Sequence, residues 1–147
     1  MAATRRAEAT WSGDLLTGSG QVSAVSSGLF SNLPVTWSAR TEEPGGKTSP
    51  EELVAAAHAA CFSMAFSGRL AKAGTPPSRL DVSAEVSFEQ VEGGWKVSAS
   101  ALTVRGDVPG ISADDFRRIA EEAKDGCPIS GALKGNVELS VAASLVG

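Results

Sequence analysis

The chain has 147 residues, 42% hydrophobic and 20% charged, with 13 basic against 17 acidic side chains and a net charge of −4. That length favours one domain over residues 1–147 with a core of its own, and the composition excludes a disordered chain. An acidic balance argues against nucleic acid or an anionic membrane as partner, because both select a basic face. A small neutral or weakly polar partner fits better.

Arg5 and Arg6 lead into polar residues, not the apolar run of an export signal, so a cytoplasmic protein is expected. Short β-like runs follow at 7–11, 21–26 and 35–39, with Gly18-Ser19-Gly20 as the expected turn. The polar stretch 42–47 delivers the chain to a helix with a well-marked start. Ser49 is the expected N-cap, Pro50 occupies the first helical position, and Glu52 closes a capping box. Glu51 is left without a local job. This helix should run to about Lys72 and end at Gly74 before Pro76-Pro77. Its uncharged stretch, 53–68, is shorter than the ~20 residues of a membrane span and reads as a buried helix.

Val82, Ala84, Val86 and Phe88 alternate with polar residues, Gly93-Gly94 turns the chain, and Trp95, Val97, Ala99 and Ala101 form the returning arm of a hairpin. Ser112 should cap a second helix with Phe116, Ile119, Ala120 and Ala123 on one face. Gly126 ends it, Pro128 opens a short third helix, and 137–145 forms the last strand. Strands, long helix, hairpin, helix and strand in that order make an α+β protein with antiparallel sheet packed on central helices.

The chemistry concentrates on sulfur. Cys61 and Cys127 are the only cysteines, without a Cys-x-x-Cys, so a zinc site is not expected, and neither is a secreted disulfide framework. Inert buried thiols and redox chemistry remain. A free thiol with pKa near 8.5 is only about 3% thiolate at pH 7, and lowering it to about 6 gains about thirty-fold in nucleophile. Cys61 lies far beyond the first helical turn, so the helix dipole cannot supply that shift and a cation must. His58, the sole histidine, is a neighbour on the same helical face and could pair with Cys61; a lone histidine there is more often a hydrogen-bonded structural residue. Cys127, just before Pro128, should face free backbone N–H groups, which suits a resolving thiol that captures a sulfenic acid as a disulfide.

The stretch TSPEELVAAAHAACFSMAF (48–66), taken with DGCPIS (125–130), resembles the OsmC/Ohr family of osmotically inducible and organic hydroperoxide resistance proteins, on the OsmC side. The resemblance implies an intertwined homodimer in which curved antiparallel β-sheets pack around long central helices. It implies a thiol peroxidase that reduces organic hydroperoxides, with Cys61 peroxidatic and Cys127 resolving, no cofactor, and a dithiol reductant such as a lipoylated protein. An arginine and a glutamate complete the family site. VTWSAR (35–40) places Arg40 at the end of the strand before the long helix, and Glu51 matches the glutamate; Arg5 or Arg6 would serve if the arginine came from an N-terminal loop.

A carboxylate beside Cys61 would disfavour its thiolate, so Glu51 is expected to orient Arg40. Glu51 stands about 15 Å along a straight helix from Cys61, so the partner subunit's Glu51 is expected to complete the site. Phe62, Met64, Phe66, Phe30 and Leu33 are the expected apolar wall, and Trp11, Trp37 and Trp95 are read as packing. The competing class is a non-catalytic dimeric ligand-binding protein that keeps the fold without the reactivity.

Overall fold

In the computed structural model, which describes residues 1–146, the chain divides into two units, Met1–Leu53 and the remainder from Val54. In the first, β1 (Ala7–Ser12), β2 (Ser19–Ala24) and β3 (Leu33–Val35) form an antiparallel sheet in that order, followed by the short helix α1 (Trp37–Thr41). The expected turn is displaced: Ser19 and Gly20 pair within β2 opposite Ser12 and Trp11, and the chain reverses at 13–18. Asp14 makes that reversal, its Oδ1 accepting from the Thr17 N–H at 2.8 Å and the Thr17 hydroxyl at 2.7 Å. Gly20 has to be glycine for a different reason. A Cβ there would come within 2.7 Å of the Trp11 ring and 2.4 Å of the Thr10 carbonyl.

The expected strand over 35–39 stops at Val35. Thr36 caps a helical turn instead, its Oγ1 accepting from the Ala39 N–H at 3.1 Å, so Arg40 stands on α1 and not at a strand end. A threonine three residues ahead of that N–H offers the backbone a local partner that competes with sheet pairing. The unit is thin, with β1 exposed along its whole length.

Helix α2 (Pro50–Lys72) begins in the first unit and continues into the second. Ser49 caps it as expected, accepting from the Glu52 N–H at 3.1 Å, while the Glu52 carboxylate accepts from the Thr48 hydroxyl at 2.7 Å. The helix is long and apolar enough to cross a bilayer by length and composition. It is buried on one stripe only: His58, Phe62, Phe66 and Leu70, four residues apart, are inaccessible, whereas Ala57, Ala60, Met64 and Gly68 are exposed. The buried helix expected from the sequence is thus buried along one face.

Within the second unit β4 (Arg79–Val91) and β5 (Gly94–Asp107) form an antiparallel hairpin across Glu92-Gly93, where Gly93 takes φ 95°. β6 (Glu138–Leu145) then pairs with β5 in parallel, a departure from the all-antiparallel expectation. The reason lies in the connection. Parallel neighbours need a crossover of a dozen or more residues, and α3 (Ala113–Gly126) with α4 (Pro128–Leu133) supplies it.

The core of this unit packs α2 and the apolar face of α3 on one face of the sheet. Phe66 stands 5.5 Å from Phe62 and 5.0 Å from Phe116 between ring centroids, and burying each such ring contributes about 1.5–3 kcal/mol. The expected face of α3, Phe116, Ile119, Ala120 and Ala123, is the buried one. Gly106 on β5 makes room for it, since a Cβ there would meet the Phe116 ring at 2.6 Å.

Candidate active site

Two clusters of chemistry-bearing side chains stand out, one in each unit. In the second, Cys61 on α2 and Cys127 at the joint between α3 and α4 meet with their sulfurs 2.8 Å apart, sharing a hydrogen bond as free thiols. The fold achieves this by ending α3 at Gly126 and starting α4 at Pro128, so that Cys127 is at once the C-cap of one helix and the N-cap of the next. Pro128 has no N–H to lose at that position, and the Cys127 side chain makes no cap hydrogen bond there.

The two thiols are driven apart electrically. Burial pushes Cys61 up, its hydrogen bond with Cys127 adds to the rise, and the Ile129 N–H opposes it. Burial also acts upward on Cys127, but hydrogen bonds from Cys61, from the N–H and hydroxyl of Ser130 and from the Ile129 N–H outweigh it, and its net displacement is downward. Left to itself, the pair holds its negative charge on Cys127. Ionising Cys61 thus needs a cation in addition to what the pair provides, as expected from its place in mid-helix.

His58 does not pair with Cys61. Its Nδ1 lies 2.6 Å from the Ser100 hydroxyl on β5 and its Nε2 2.8 Å from the Ser130 hydroxyl on α4, so the structural reading of this histidine is the one observed. Neither serine stood out in the sequence. Ser130 lies inside the DGCPIS motif but serves there as an ordinary helix residue, and a serine on the covered face of a strand carries no periodic signal. Burial holds the His58 imidazole below its ordinary value of about 6.5.

The sign of the resulting linkage is fixed. The unfolded chain binds a proton near pH 6.5 that the folded chain refuses, so stability is fully present above that pH and is lost as pH falls towards the lower folded value. Urea melts at descending pH are expected to show a loss of about 1.4 kcal/mol per pH unit in that window, absent in His58→Gln.

In the first unit Arg40 and Glu51 form a two-pronged ion pair, Nε to Oε1 and a terminal guanidinium nitrogen to Oε2, both 2.9 Å. Glu51 is buried and Arg40 half-buried. Both ends are held. Arg40 rides on the Thr36-capped turn, and the Thr48 N–H donates to the Pro34 carbonyl at 3.1 Å, fixing the start of α2 and with it Glu51. The job missing for Glu51 in the sequence is thus the orientation of a guanidinium on its own chain. Arg5 and Arg6 are exposed, and Arg6 pairs with Glu8.

The Arg40 guanidinium lies 5.9 Å from the Trp37 ring centroid. Both residues line a pocket of about 320 Å³ with Trp11, Leu15, Val35, Thr36 and Pro50. The residues of the expected wall do not line this pocket. Phe62 and Phe66 are core, Met64 is exposed on α2, and Phe30 and Leu33 are half-buried. Two of the tryptophans read as packing line the pocket instead, while Trp95 stacks on Phe88 at 4.9 Å on the second sheet. The Trp11 indole N–H, aimed at the carbonyls of Gly13 and Asp14 at 3.1 and 3.2 Å, fixes the ring over Gly20. Among the described residues no cluster of His, Cys, Asp and Glu could hold a metal ion.

The chain is similar to known proteins over most of its length. Residues 43–142 match the family model described as OsmC-like protein. Peroxiredoxin OsmC of Escherichia coli strain K12 is 43% identical over 135 residues, covering 92% of this chain and 93% of that protein. An organic hydroperoxide resistance protein of Xanthomonas axonopodis pv. citri is 30% identical over 98 residues, covering 66% of this chain and 67% of that one. Among solved structures, an organic hydroperoxide resistance protein OsmC from Legionella pneumophila superposes with a TM-score of 0.70 at 25% identity, over 97% of this chain and 99% of that one. With a family model spanning both cysteines and a relative matched nearly end to end, the chain belongs to the OsmC family.

Proposed function

We propose that this chain is a cysteine-based peroxidase that reduces organic hydroperoxides. The observation that carries the reading is the contact between Cys61 and Cys127, 66 residues apart in sequence and 2.8 Å apart at sulfur. In the first step the Cys61 thiolate attacks the peroxide oxygen distal to the alkyl group. The O–O bond breaks, Cys61 becomes a sulfenic acid, and the alkoxide takes up a proton and leaves as the alcohol. In the second, Cys127 attacks the sulfur of that sulfenic acid. The S–S bond forms, the S–O bond breaks and water departs. A dithiol reductant, such as a lipoylated protein, then returns two electrons and two protons to restore both thiols.

In this reading the Arg40–Glu51 pair is the cation that Cys61 lacks, supplied by a second copy of the chain. A guanidinium both holds the thiolate and donates to the developing alkoxide, and Glu51 keeps it in one orientation. The Trp11–Trp37 pocket, dominated by apolar surface, favours an alkyl or lipid hydroperoxide over hydrogen peroxide. Two observations support a homodimer: β1 is exposed on both faces, and α2 shows solvent the small apolar stripe Ala57, Ala60, Met64 and Gly68. A strand and a helix so little covered are suited to burial by another copy, and the two units are then parts of one domain built on α2.

The test is stopped-flow mixing of reduced protein with cumene hydroperoxide, with thiols counted after quenching. Rapid loss of two thiols per chain is expected, with slower loss under hydrogen peroxide. A binding-only protein using the same pocket would leave both thiols intact in excess hydroperoxide, and that result would sink the proposal.

A further inference from the structure

We propose that the hydrogen bond between His58 and Ser130 is a clasp that docks α4 on α2 and so holds Cys127 within closing distance of Cys61. Its use in turnover rests on the peroxidase reading, whereas the pairing of the two sulfurs does not. His58 stands three residues before Cys61 on α2, and Ser130 three residues after Cys127 in the first turn of α4. Each partner of the clasp is thus about one helical turn from one of the sulfurs. The clasp measures 2.8 Å between Nε2 and the Ser130 hydroxyl, and the sulfurs stand 2.8 Å apart, so the joint before α4 and the first turn of α4 both meet α2.

Little else holds α4. Among Pro128–Leu133 only Ser130 is fully buried, while Pro128, Gly131 and Ala132 are exposed and Ile129 and Leu133 half-buried. A helix this short does not keep its place by propensity. Its anchor is polar, and a hydrogen bond fixes distance and direction where an apolar contact tolerates sliding. The far side of the clasp is fixed as well, because the Ser100 hydroxyl on β5 meets Nδ1 at 2.6 Å and pins the ring. A neutral imidazole has one donor and one acceptor nitrogen and each hydroxyl takes either role, so both contacts are made in either tautomer. All three side chains are buried and sheltered from competing solvent. On the other flank of Cys127 the Arg69 guanidinium, also on α2, lies against Gly126, where a Cβ would run into it. The segment 126–130 is thereby met by α2 at Gly126, at Cys127 and at Ser130.

The consequence is a shift in an equilibrium. Closing a disulfide draws sulfurs already 2.8 Å apart to about 2.0 Å, a move that side-chain torsions supply while α4 stays docked. Without the clasp the reduced chain samples positions of α4 from which the sulfurs do not meet, and that freedom is lost on closure. Clasp and disulfide therefore favour each other by the same factor. The sign separates position from charge. A donor or cation that held the Cys127 thiolate would favour the reduced pair, so its removal would favour the disulfide, whereas removal of a clasp favours the thiols. The charged groups flanking Cys127 are Arg69 at Gly126 and Lys124 and Asp125 at the end of α3, with Lys124 paired to Glu121 at 2.9 Å and to Asp125 at 3.6 Å.

The experiment equilibrates the full-length protein with mixtures of reduced and oxidised dithiothreitol at pH 7, quenches with acid, and counts by intact mass the thiols that then react with a maleimide. In this exchange the Cys61–Cys127 bond forms as the reagent's ring disulfide opens, and two electrons and two protons pass from the protein thiols to the reagent. Ser130→Ala, which removes one oxygen, should lower the constant for disulfide formation about tenfold, or about 30 mV for a two-electron couple, the factor set by one hydrogen bond. His58→Leu should do the same, and His58→Gln, whose amide nitrogen reaches to where Nε2 stands, should restore most of the loss. Val104→Ala, which opens a cavity in the core on β5, should lower the urea midpoint but leave the constant in place, because it burdens oxidised and reduced chains alike. Arg69→Met should leave the constant in place or raise it.

The proposal is overturned if Ser130→Ala keeps or raises the constant while circular dichroism shows a native fold, or if His58→Gln loses as much as His58→Leu. It is equally overturned if Val104→Ala or Arg69→Met lowers the constant as far as Ser130→Ala does. Should His58→Leu fail to fold, Ser130→Ala set against Val104→Ala decides. Thiols that survive cumene hydroperoxide in the unmodified protein would count against the peroxidase reading alone, since no peroxide enters this exchange.

Discussion

Cys61→Ser should abolish hydroperoxide reduction, whereas Cys127→Ser should consume one equivalent of hydroperoxide and then stop. The first change removes the sulfur proposed to attack, and loss of a nucleophile costs several orders of magnitude in rate. The second leaves that sulfur in place but takes away its neighbour at 2.8 Å. A sulfenic acid should then persist on Cys61 and be trapped by dimedone, a mass change readable on the intact protein. In the unmodified protein the same reagent should find nothing, because disulfide closure across so short a gap outruns it. The opposite pattern, with dimedone on Cys127 in the Cys61→Ser variant, would exchange the roles. That outcome is a physical alternative because the pair's own hydrogen bonds favour charge on Cys127. In the proposed mechanism, the cation decides between the sulfurs.

Arg40→Ala should therefore lower hydroperoxide reduction by about 10²–10³-fold, the range seen when a preorganised donor to a developing oxyanion is removed. The pH profile separates its two roles. Activity requires the Cys61 thiolate, so the rate rises as pH passes upward through the Cys61 pKa and is lost as pH falls through it. Burial and the hydrogen bond with Cys127 push that thiol up, so removing the guanidinium moves the rising limb to higher pH. Ionisation accounts for about thirty-fold at pH 7 for an ordinary thiol and for more where burial raises it, and raising the pH should recover that part. The remainder belongs to the alkoxide and should persist at every pH. Arg40→Lys should recover charge but not the two-pronged grip on Glu51, and so rescue the pH limb better than the plateau. A rate limb that stays in place in Arg40→Ala would show that another group ionises Cys61.

Local chemistry carried much of this in the linear chain. Ser49-Pro50 marked the first turn of α2, Ser112 and the spacing from Phe116 to Ala123 marked α3 and its buried face, and alternation marked the β4–β5 hairpin. Each depends on neighbours within a few residues, where capping and periodicity act. The Cys61–Cys127 pairing was legible through a resemblance to a family, since nothing in the spacing of two cysteines dictates their meeting. Arg40 was legible as a residue but not as a conformation: the Thr36 hydroxyl captured the Ala39 N–H and turned an expected strand into a helical turn. The apolar wall was misplaced because Phe62 and Phe66 have the same chemistry whether they line a pocket or fill a core.

The sequence alone thus determined where α2, α3 and α4 start, which side α3 buries, and that any redox chemistry had to involve residues 61 and 127. Only the tertiary structure decided that Glu51 grips Arg40, that Trp11 and Trp37 make the pocket, and that His58 is held between Ser100 and Ser130. The physical reason is range. Caps and amphipathic faces are settled by groups one or two turns apart, whereas a hydroxyl on β5, an imidazole on α2 and a hydroxyl on α4 become neighbours only once the sheet and the helices have packed.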